Sequence, residues 1–231
     1  MSRIAVLTPL DLMGLVLIVT AWLAIGWRIE HPGRERVSVT VTMVKYRKQW
    51  MREMITREPR IFDAQILGGL RQGTAFFAST CLLALGGVLA LVGNSEQLLM
   101  VARDLSLAEH PTLIWQIKLS VVALFLVNAF LKFAWANRVF GYCAVVMAAV
   151  PNDAGDPVAL ARADKAAELN IRAAWNFNRG LRSVYFALGA VAWLLGPVPL
   201  MIATAVTVWT LWEREFISVT HRILNRPEDN A

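Results

Sequence analysis

A row of charged and aromatic residues recurs at helical spacing shortly before the last apolar region of the chain. Its members, Glu168, Arg172, Trp175, Arg179 and Arg182, are separated by four, three, four and three positions. At about 100° per residue, they lie within about 80° of one another on one helix face. Guanidinium groups bind phosphate and carboxylate groups through paired hydrogen bonds. The chemistry that this face could perform is therefore the binding of anions.

Further cations stand at the corresponding ends of two other apolar segments. If these helix ends converge, they form a positive vestibule suited to anions or phosphates. Alternatively, each side chain extends independently to a lipid phosphate, as cations at the ends of membrane helices often do. The candidate contacts to anions or headgroups are Arg60, Arg71, Lys132, Arg138, Arg172, Arg179 and Arg182.

Two ionisable residues, Asp11 and Lys118, lie inside apolar segments. Their expected depths in the membrane agree to within about one helical turn, so the sequence predicts an ion pair between them. Such a pair either holds the helices in register or lines a pathway.

The sequence contains no pattern that indicates catalysis or cofactor binding. It has no HExxH, GxSxG or P-loop motif, which argues against a metalloprotease, a serine hydrolase and an ATPase. Its histidines, His31, His110 and His221, lie outside the apolar segments, whereas a membrane haem needs histidines within facing helices. Cys81 and Cys143 form no CxxC pair. We therefore expect no catalytic residue, cofactor or metal ligand, and favour a protein that is not an enzyme over an enzyme that works at the level of the headgroups.

The elements that must position these residues are membrane helices. Of the 231 residues 57% are hydrophobic, and mean hydropathy is +0.50. The apolar residues are concentrated in long runs, the pattern of an integral membrane protein. The net charge of +6 resides mainly in the links between these runs, which favours anionic lipid over nucleic acid as the partner. The predicted spans are about 9–27, 73–93, 113–133, 179–195 and 199–217.

The last apolar region is too long for one straight span. Residues 184–212 would form a helix of roughly 43 Å, against a bilayer core of roughly 30 Å. The stretch "LGPVP", Leu195 to Pro199, has the chemistry of a turn. We favour a helical hairpin over a single kinked span, which gives four to five spans in total.

The basic residues are distributed unevenly among the links. Of the 23 Lys and Arg residues, 20 lie in the segments 28–72, 132–182 and 213–226, which fall on one side of a five-span protein. By the positive-inside rule, the N-terminus is outside and the C-terminus is in the cytoplasm.

An amphipathic helix is predicted in the first basic link, at about 37–57. Its apolar residues Met43, Tyr46, Trp50 and Met54 recur at helical spacing. Such a helix would lie at the level of the cytoplasmic headgroups, either as a simple lipid anchor or as an elbow that leads into the next span.

Four stretches resemble a known family. They are "RKQWMREMITREPRIFDAQ", "RQGTAFFASTCLLALGG", "NRGLRSVYFALGAVAWLLGP" and "EREFIS". They are similar to bacterial members of the domain of unknown function 599 family, and the likeness extends from about Leu10 to Arg222. The resemblance implies a small multi-pass protein of the bacterial inner membrane. The family carries no established reaction, so it implies no functional positions.

Together these observations predict an all-α fold, a multi-pass bundle of transmembrane helices with cytoplasmic helical extensions in one membrane domain. The function we favour is a homo-oligomeric channel or permease with a cationic cytoplasmic vestibule for anions. The alternative is a structural or accessory subunit of a larger membrane complex. The expected partners are anionic lipid headgroups and either further copies of the chain or other membrane subunits, but not nucleic acid.

Overall fold

The computed structural model describes residues 7–31, 33, 36–94 and 111–226. Within these ranges the chain is helical and contains no strand, which confirms the predicted all-α bundle. The helices are α1 (Pro9–Glu30), α2 (Val39–Glu53), α3 (Ile61–Gly93), α4 (Thr112–Ala148), α5 (Ala159–Val191), α6 (Pro197–Phe216) and α7 (Val219–Leu224). Short 3₁₀ turns, Met54–Thr56 and Ala192–Leu195, follow α2 and α5.

Three helices of the described residues are long and apolar enough to cross a membrane: α1, α3 and α4. About 20 helical residues are needed to span the hydrocarbon core. With 33 and 37 residues, α3 and α4 exceed this length and extend beyond it. The predicted spans 9–27, 73–93 and 113–133 fall within these three helices.

The chain reverses direction between α5 and α6. Gly196 has a φ of 127°, a conformation that side chains with a Cβ rarely adopt. Pro197 then occupies the first position of α6, where its missing N–H leaves no hydrogen bond unmade. A Cβ placed on Gly189 would lie 3.2 Å from Thr207 Oγ1, so the two helices pack closely on one another. The segments 179–195 and 199–217 are the two arms of this hairpin.

Neither arm is among the three most apolar helices. Arg179 and Arg182 interrupt the middle of α5, and Glu213, Arg214 and Glu215 occupy the last turn of α6. These charges collect at one end of the bundle, together with Glu30 and Lys132, and we call this the basic end. Asp11 lies 19 residues before Glu30 on the same helix, or about 28 Å away along its axis.

Two apolar cores lie one above the other in the bundle. The first is built by α1, α4, α5 and α6, and its buried members include Ile18, Phe125, Phe186, Trp193 and Leu200. The second lies at the basic end, where α2, the start of α3, the end of α4 and the start of α5 meet. Its buried members include Met51, Met54, Leu67, Phe140 and Ala163.

The amphipathic helix of the first basic link is α2, and part of its apolar face is covered by protein. Trp50 of α2 packs against the core at the basic end, and Met54, in the 3₁₀ turn that follows α2, is 1% exposed and belongs to that core. Arg47 donates a hydrogen bond to Asn170 on α5, and burial lowers the pKa of its guanidinium. The helix is therefore held against α5 by a hydrogen bond. A helix that served only as a lipid anchor would not need this contact.

A glycine sets the distance between α4 and α5. A Cβ at Gly180 would lie 2.8 Å from a ring carbon of Phe133, closer than real Cβ atoms approach. Hydrogen at this position lets the two helices meet across the aromatic ring. This contact fixes the level at which the cations of α5 face those of α4.

Candidate functional site

Helices α1, α4 and α5 enclose a cleft of about 280 Å³ at the basic end, which we call the α1–α4–α5 cleft. Its charged lining consists of Glu30 from α1, Lys132 from α4, and Arg179 and Arg182 from α5. The three cations and one carboxylate give this lining a formal charge of +2. Three of the seven predicted anion contacts thus meet in one place.

Glu30 binds both arginines of α5. Arg179 donates from Nε to Oε1 at 2.8 Å and from Nη2 to Oε2 at 2.6 Å, the bidentate geometry that suits a carboxylate. Arg182 donates to Oε1 of the same carboxylate. The side chains of Glu30 and Arg182 are 11% and 7% exposed, whereas that of Arg179 is 38% exposed. One carboxylate therefore holds two guanidinium groups, and only one of these is open to solvent.

Lys132 is the cation of the cleft that has no acidic partner in the described part of the chain. It lies on α4, half-buried. One turn earlier on α4, Asn128 donates from Nδ2 to Ser183 Oγ at 2.7 Å. Ser183 in turn donates to the backbone oxygen of Arg179 at 3.1 Å. This chain of hydrogen bonds positions α4 against α5 beside the cleft.

A second polar network connects α2, α5 and α6 behind the cleft. Glu215 on α6 accepts hydrogen bonds from the backbone N and the Oγ1 of Thr40, at 3.0 and 2.9 Å. Asn178 on α5 donates to the same Thr40 Oγ1 at 3.2 Å. The carboxylate of Glu215 is thus engaged by α2 and does not line the cleft.

Apolar and aromatic side chains form the outer wall of the cleft. Trp27 is 63% exposed and stacks on His31, and Leu23 is 57% exposed. Trp22 packs edge to face on Phe125, with ring centroids 5.5 Å apart. Tryptophan is enriched where membrane and water meet. The cleft therefore offers cations on one side and an apolar surface on the other.

The other four predicted contacts lie away from this cleft. Arg172 is exposed, and Arg138 is exposed with its Nε 2.5 Å from Tyr142 OH. Arg60 and Arg71 line a different cleft, between α3 and α4. Within one chain, the cationic helix ends do not converge into a single vestibule.

The Asp11 and Lys118 side chains are both buried, and both contact Trp193. Trp193 donates from Nε1 to Asp11 Oδ1 at 2.7 Å. The Lys118 ammonium lies 5.6 Å and 5.8 Å from the ring centroids of Trp115 and Trp193. Thr8 also bonds to Asp11 and caps α1. Through Trp193, which follows α5, these contacts connect the start of α1 to α4 and to the hairpin. Asp11 and Lys118 do not form a direct salt bridge with each other in the described part of the chain.

Sequence reasoning missed the carboxylates of both clefts. Glu30 ends the first apolar segment, and its only signal was an acidic residue among the basic residues of that link. Asp63 carries no such signal in the sequence, although it is fully buried. Among the described residues, no group of three or more histidine, cysteine or acidic side chains could hold a metal ion.

Comparison with known proteins identifies the family of this chain. The chain matches the family described as "Protein of unknown function, DUF599" over residues 13–220. The chain belongs to this family. Searches of curated proteins and of solved structures found no match. The match confirms the family resemblance, and membership of DUF599 assigns no reaction and no ligand to the α1–α4–α5 cleft.

Proposed function

We propose that the protein is an integral membrane protein that binds an anionic group in the α1–α4–α5 cleft. The observation that carries this proposal is the sharing of one carboxylate, Glu30, by Arg179 and Arg182 beside Lys132, which pairs with no carboxylate of the described residues. A lining of charge +2 that is partly shielded from water attracts anions more strongly than isolated surface cations do. The exposed side of Arg179 and the Lys132 ammonium are the groups available to a ligand.

The ligand that fits best is the phosphate of an anionic phospholipid. A phospholipid presents its phosphate directly beside acyl chains. The cleft presents Lys132 and Arg179 directly beside the exposed apolar surfaces of Leu23 and Trp27. A free anion would use the cations but not this apolar wall.

The proposal places the basic end of the bundle in the cytoplasm of a bacterial cell, with the protein in the inner membrane and its N-terminus outside. The distribution of Lys and Arg supports this orientation, since 20 of the 23 lie in the segments that join at or near the basic end. The phospholipid site would then face the cytoplasmic leaflet, whose surface carries negative charge.

For a single copy of the chain, we favour the binding of an anion over its conduction across the membrane. Buried Ile18, Phe125 and Phe186 belong to the apolar core that lies between the cleft and the Asp11–Trp193 contact. The aromatic rings of Phe125 and Phe186 are stacked with centroids 6.1 Å apart. A channel or permease of this protein would need a path between copies of the chain.

A subunit role in a larger membrane assembly is the second candidate, and α3 supports it. Only 6% of the most apolar stretch of α3 is buried within the chain, against 44% for α4. Phe76 and Leu83 on this helix are 65% and 81% exposed. Lipid or the helix of another protein must cover this surface.

Native mass spectrometry of the protein in a neutral detergent tests both candidates. Dihexanoyl phosphatidic acid is added, and its adducts are counted for the wild type, Lys132→Gln and Lys165→Gln. Lys165 is exposed on α5 and does not line the cleft, so it is the matched control. We expect one adduct to be retained in the wild type and in the control and to be lost from Lys132→Gln. Equal retention in all three would refute the anion site, and a stoichiometric second protein in the spectrum would favour the subunit role.

A further inference from the structure

A second cleft, of about 390 Å³, lies between α3 and α4 at the basic end, and we call it the α3–α4 cleft. Its polar lining is Arg60, Asp63, Arg71 and Asn152, and its apolar wall includes Leu67 and Met147. None of these residues lines the α1–α4–α5 cleft. Binding in the α3–α4 cleft therefore does not depend on binding in the α1–α4–α5 cleft.

One oxygen of a fully buried carboxylate in this cleft has no hydrogen-bond partner within residues 7–31, 33, 36–94 and 111–226. Asp63 Oδ1 accepts from Trp50 Nε1 at 2.6 Å and from Arg57. Asp63 Oδ2 is buried and accepts from no group in the part of the chain that the structure describes. Buried polar atoms are nearly always hydrogen-bonded in folded proteins, so this oxygen requires a donor.

A buried donor is left unpaired in the same cleft. Arg60 donates a hydrogen bond from Nη1 to the backbone oxygen of Val150 at 2.6 Å. Its Nη2 donates to the backbone oxygens of Ile55 and Pro151 at 3.1 and 2.7 Å. Its Nε is buried and donates to no acceptor among the described residues. The cleft thus contains one acceptor, Asp63 Oδ2, that needs a donor, and one donor, Arg60 Nε, that needs an acceptor.

A hydroxyl group supplies both, because it donates one hydrogen bond and accepts others. An ammonium group donates only, and Arg57, Arg60 and Arg71 would repel it. A carboxylate accepts only, and Asp63 would repel it. A carboxamide also donates and accepts but needs two atoms to do so, whereas a hydroxyl does both through one oxygen, so the two unpaired atoms favour a hydroxyl.

Arg71 adds a second requirement. It is exposed at the rim of the cleft and lies eight residues after Asp63 on α3, about 12 Å along the helix. No carboxylate of the described residues forms a salt bridge with it. A guanidinium of this kind is well suited to a phosphate. The apolar wall between them, at Leu67 and Met147, can receive the carbon skeleton of the ligand.

We propose that the α3–α4 cleft binds a hydroxylated organic phosphate, with its phosphate on Arg71 and a hydroxyl between Arg60 Nε and Asp63 Oδ2. This chemistry is present in the glycerol headgroup of phosphatidylglycerol and also in free phosphate esters such as glycerol 3-phosphate. A choline headgroup has a phosphate for Arg71 but no hydroxyl for Arg60 Nε and Asp63 Oδ2, so it meets only one of the two requirements.

Two adjacent glycines of α3 allow a matched test. A Cβ at Gly68 or at Gly69 meets no atom within 4 Å, so a larger side chain is accommodated at either position. Gly68 lines the cleft and Gly69 does not. Gly68→Leu therefore fills the cleft, while Gly69→Leu makes the same chemical change outside it.

The assay is isothermal titration calorimetry in the Lys132→Gln background, which keeps the α1–α4–α5 cleft from contributing. The probes are dihexanoyl phosphatidylglycerol, dihexanoyl phosphatidylcholine and glycerol 3-phosphate. We expect phosphatidylglycerol to bind at least tenfold more tightly than phosphatidylcholine. Gly68→Leu should weaken that binding at least tenfold, and Gly69→Leu should leave it unchanged.

The two sources of the ligand chemistry are separated by glycerol 3-phosphate. Binding as tight as that of phosphatidylglycerol would assign the cleft to a free phosphate ester, and much weaker binding would assign it to the lipid headgroup. The proposal is overturned if neither hydroxylated probe binds, if phosphatidylcholine binds equally well, or if Gly68→Leu binds as the control does. If neither hydroxylated probe binds, water alone would form the hydrogen bonds to Arg60 Nε and Asp63 Oδ2.

Discussion

Replacement of Glu30 by glutamine should destabilise the protein strongly. The carboxylate of Glu30 holds Arg179 and Arg182, and Arg182 is only 7% exposed. Removing one partner of a buried ion pair costs about 3–5 kcal/mol, because the other charge is left buried without compensation. Arg179 is 38% exposed and regains solvation, so we expect a loss near the lower limit, about 3 kcal/mol.

Thermal unfolding in detergent measures this loss. For a chain of this size, 1 kcal/mol corresponds to about 2–4 °C in Tm, so Glu30→Gln should lower Tm by roughly 6–12 °C. Asp164→Asn is the control, because it breaks the exposed pair in which Arg52 Nε lies 3.0 Å from Asp164 Oδ1. Exposed pairs contribute little to stability, and we expect no change in Tm for this variant.

A double variant and a binding measurement extend the test. Glu30→Gln combined with Arg182→Gln should lose less than the sum of the two single losses, because the unpaired charge is removed together with its partner. Glu30→Gln should also bind phosphatidic acid more tightly than the wild type, since the charge of the cleft rises by one. A Tm within about 2 °C of the wild type would refute the assignment of Glu30 as the counter-ion of a buried arginine.

Two further predictions concern the contacts that place the helices. Gly180→Ala should lower stability by about 1–3 kcal/mol, because its Cβ meets the Phe133 ring, and the combination with Phe133→Leu should restore most of the loss. Gly86→Ala, where a Cβ meets no atom within 4 Å, is its control and should be neutral or slightly stabilising in the same unfolding assay. Trp193→Phe should cost about 1–3 kcal/mol, because it removes the 2.7 Å hydrogen bond to the buried Asp11, and an unfolding midpoint equal to the wild type would contradict this.

The helices themselves could be predicted because their signals are local. Length and hydropathy identified α1, α3 and α4, and the Gly-Pro step at Gly196 located the reversal of the last apolar region. Each of these signals depends on a few consecutive residues. No knowledge of which helix packs against which was needed.

The clefts could be predicted only in part, because they depend on which helices meet and at what level. The spacing of Arg179 and Arg182 placed both on one face of α5. It could not show that Glu30, about 150 residues earlier, would lie between them. The approach of α4 to α5 at Gly180 sets this level, and it is a contact between residues far apart in the chain.

Calorimetric titration of dihexanoyl phosphatidic acid into the wild type, Lys132→Gln and Lys165→Gln tests the proposed anion site most directly. Lys132 lines the α1–α4–α5 cleft and Lys165 does not, so the two variants remove the same charge at different places. The account predicts that Lys132→Gln binds at least tenfold more weakly than the other two proteins, which bind alike. Equal affinity in all three proteins would contradict it, and the arginines of α5 would then be purely structural partners of Glu30.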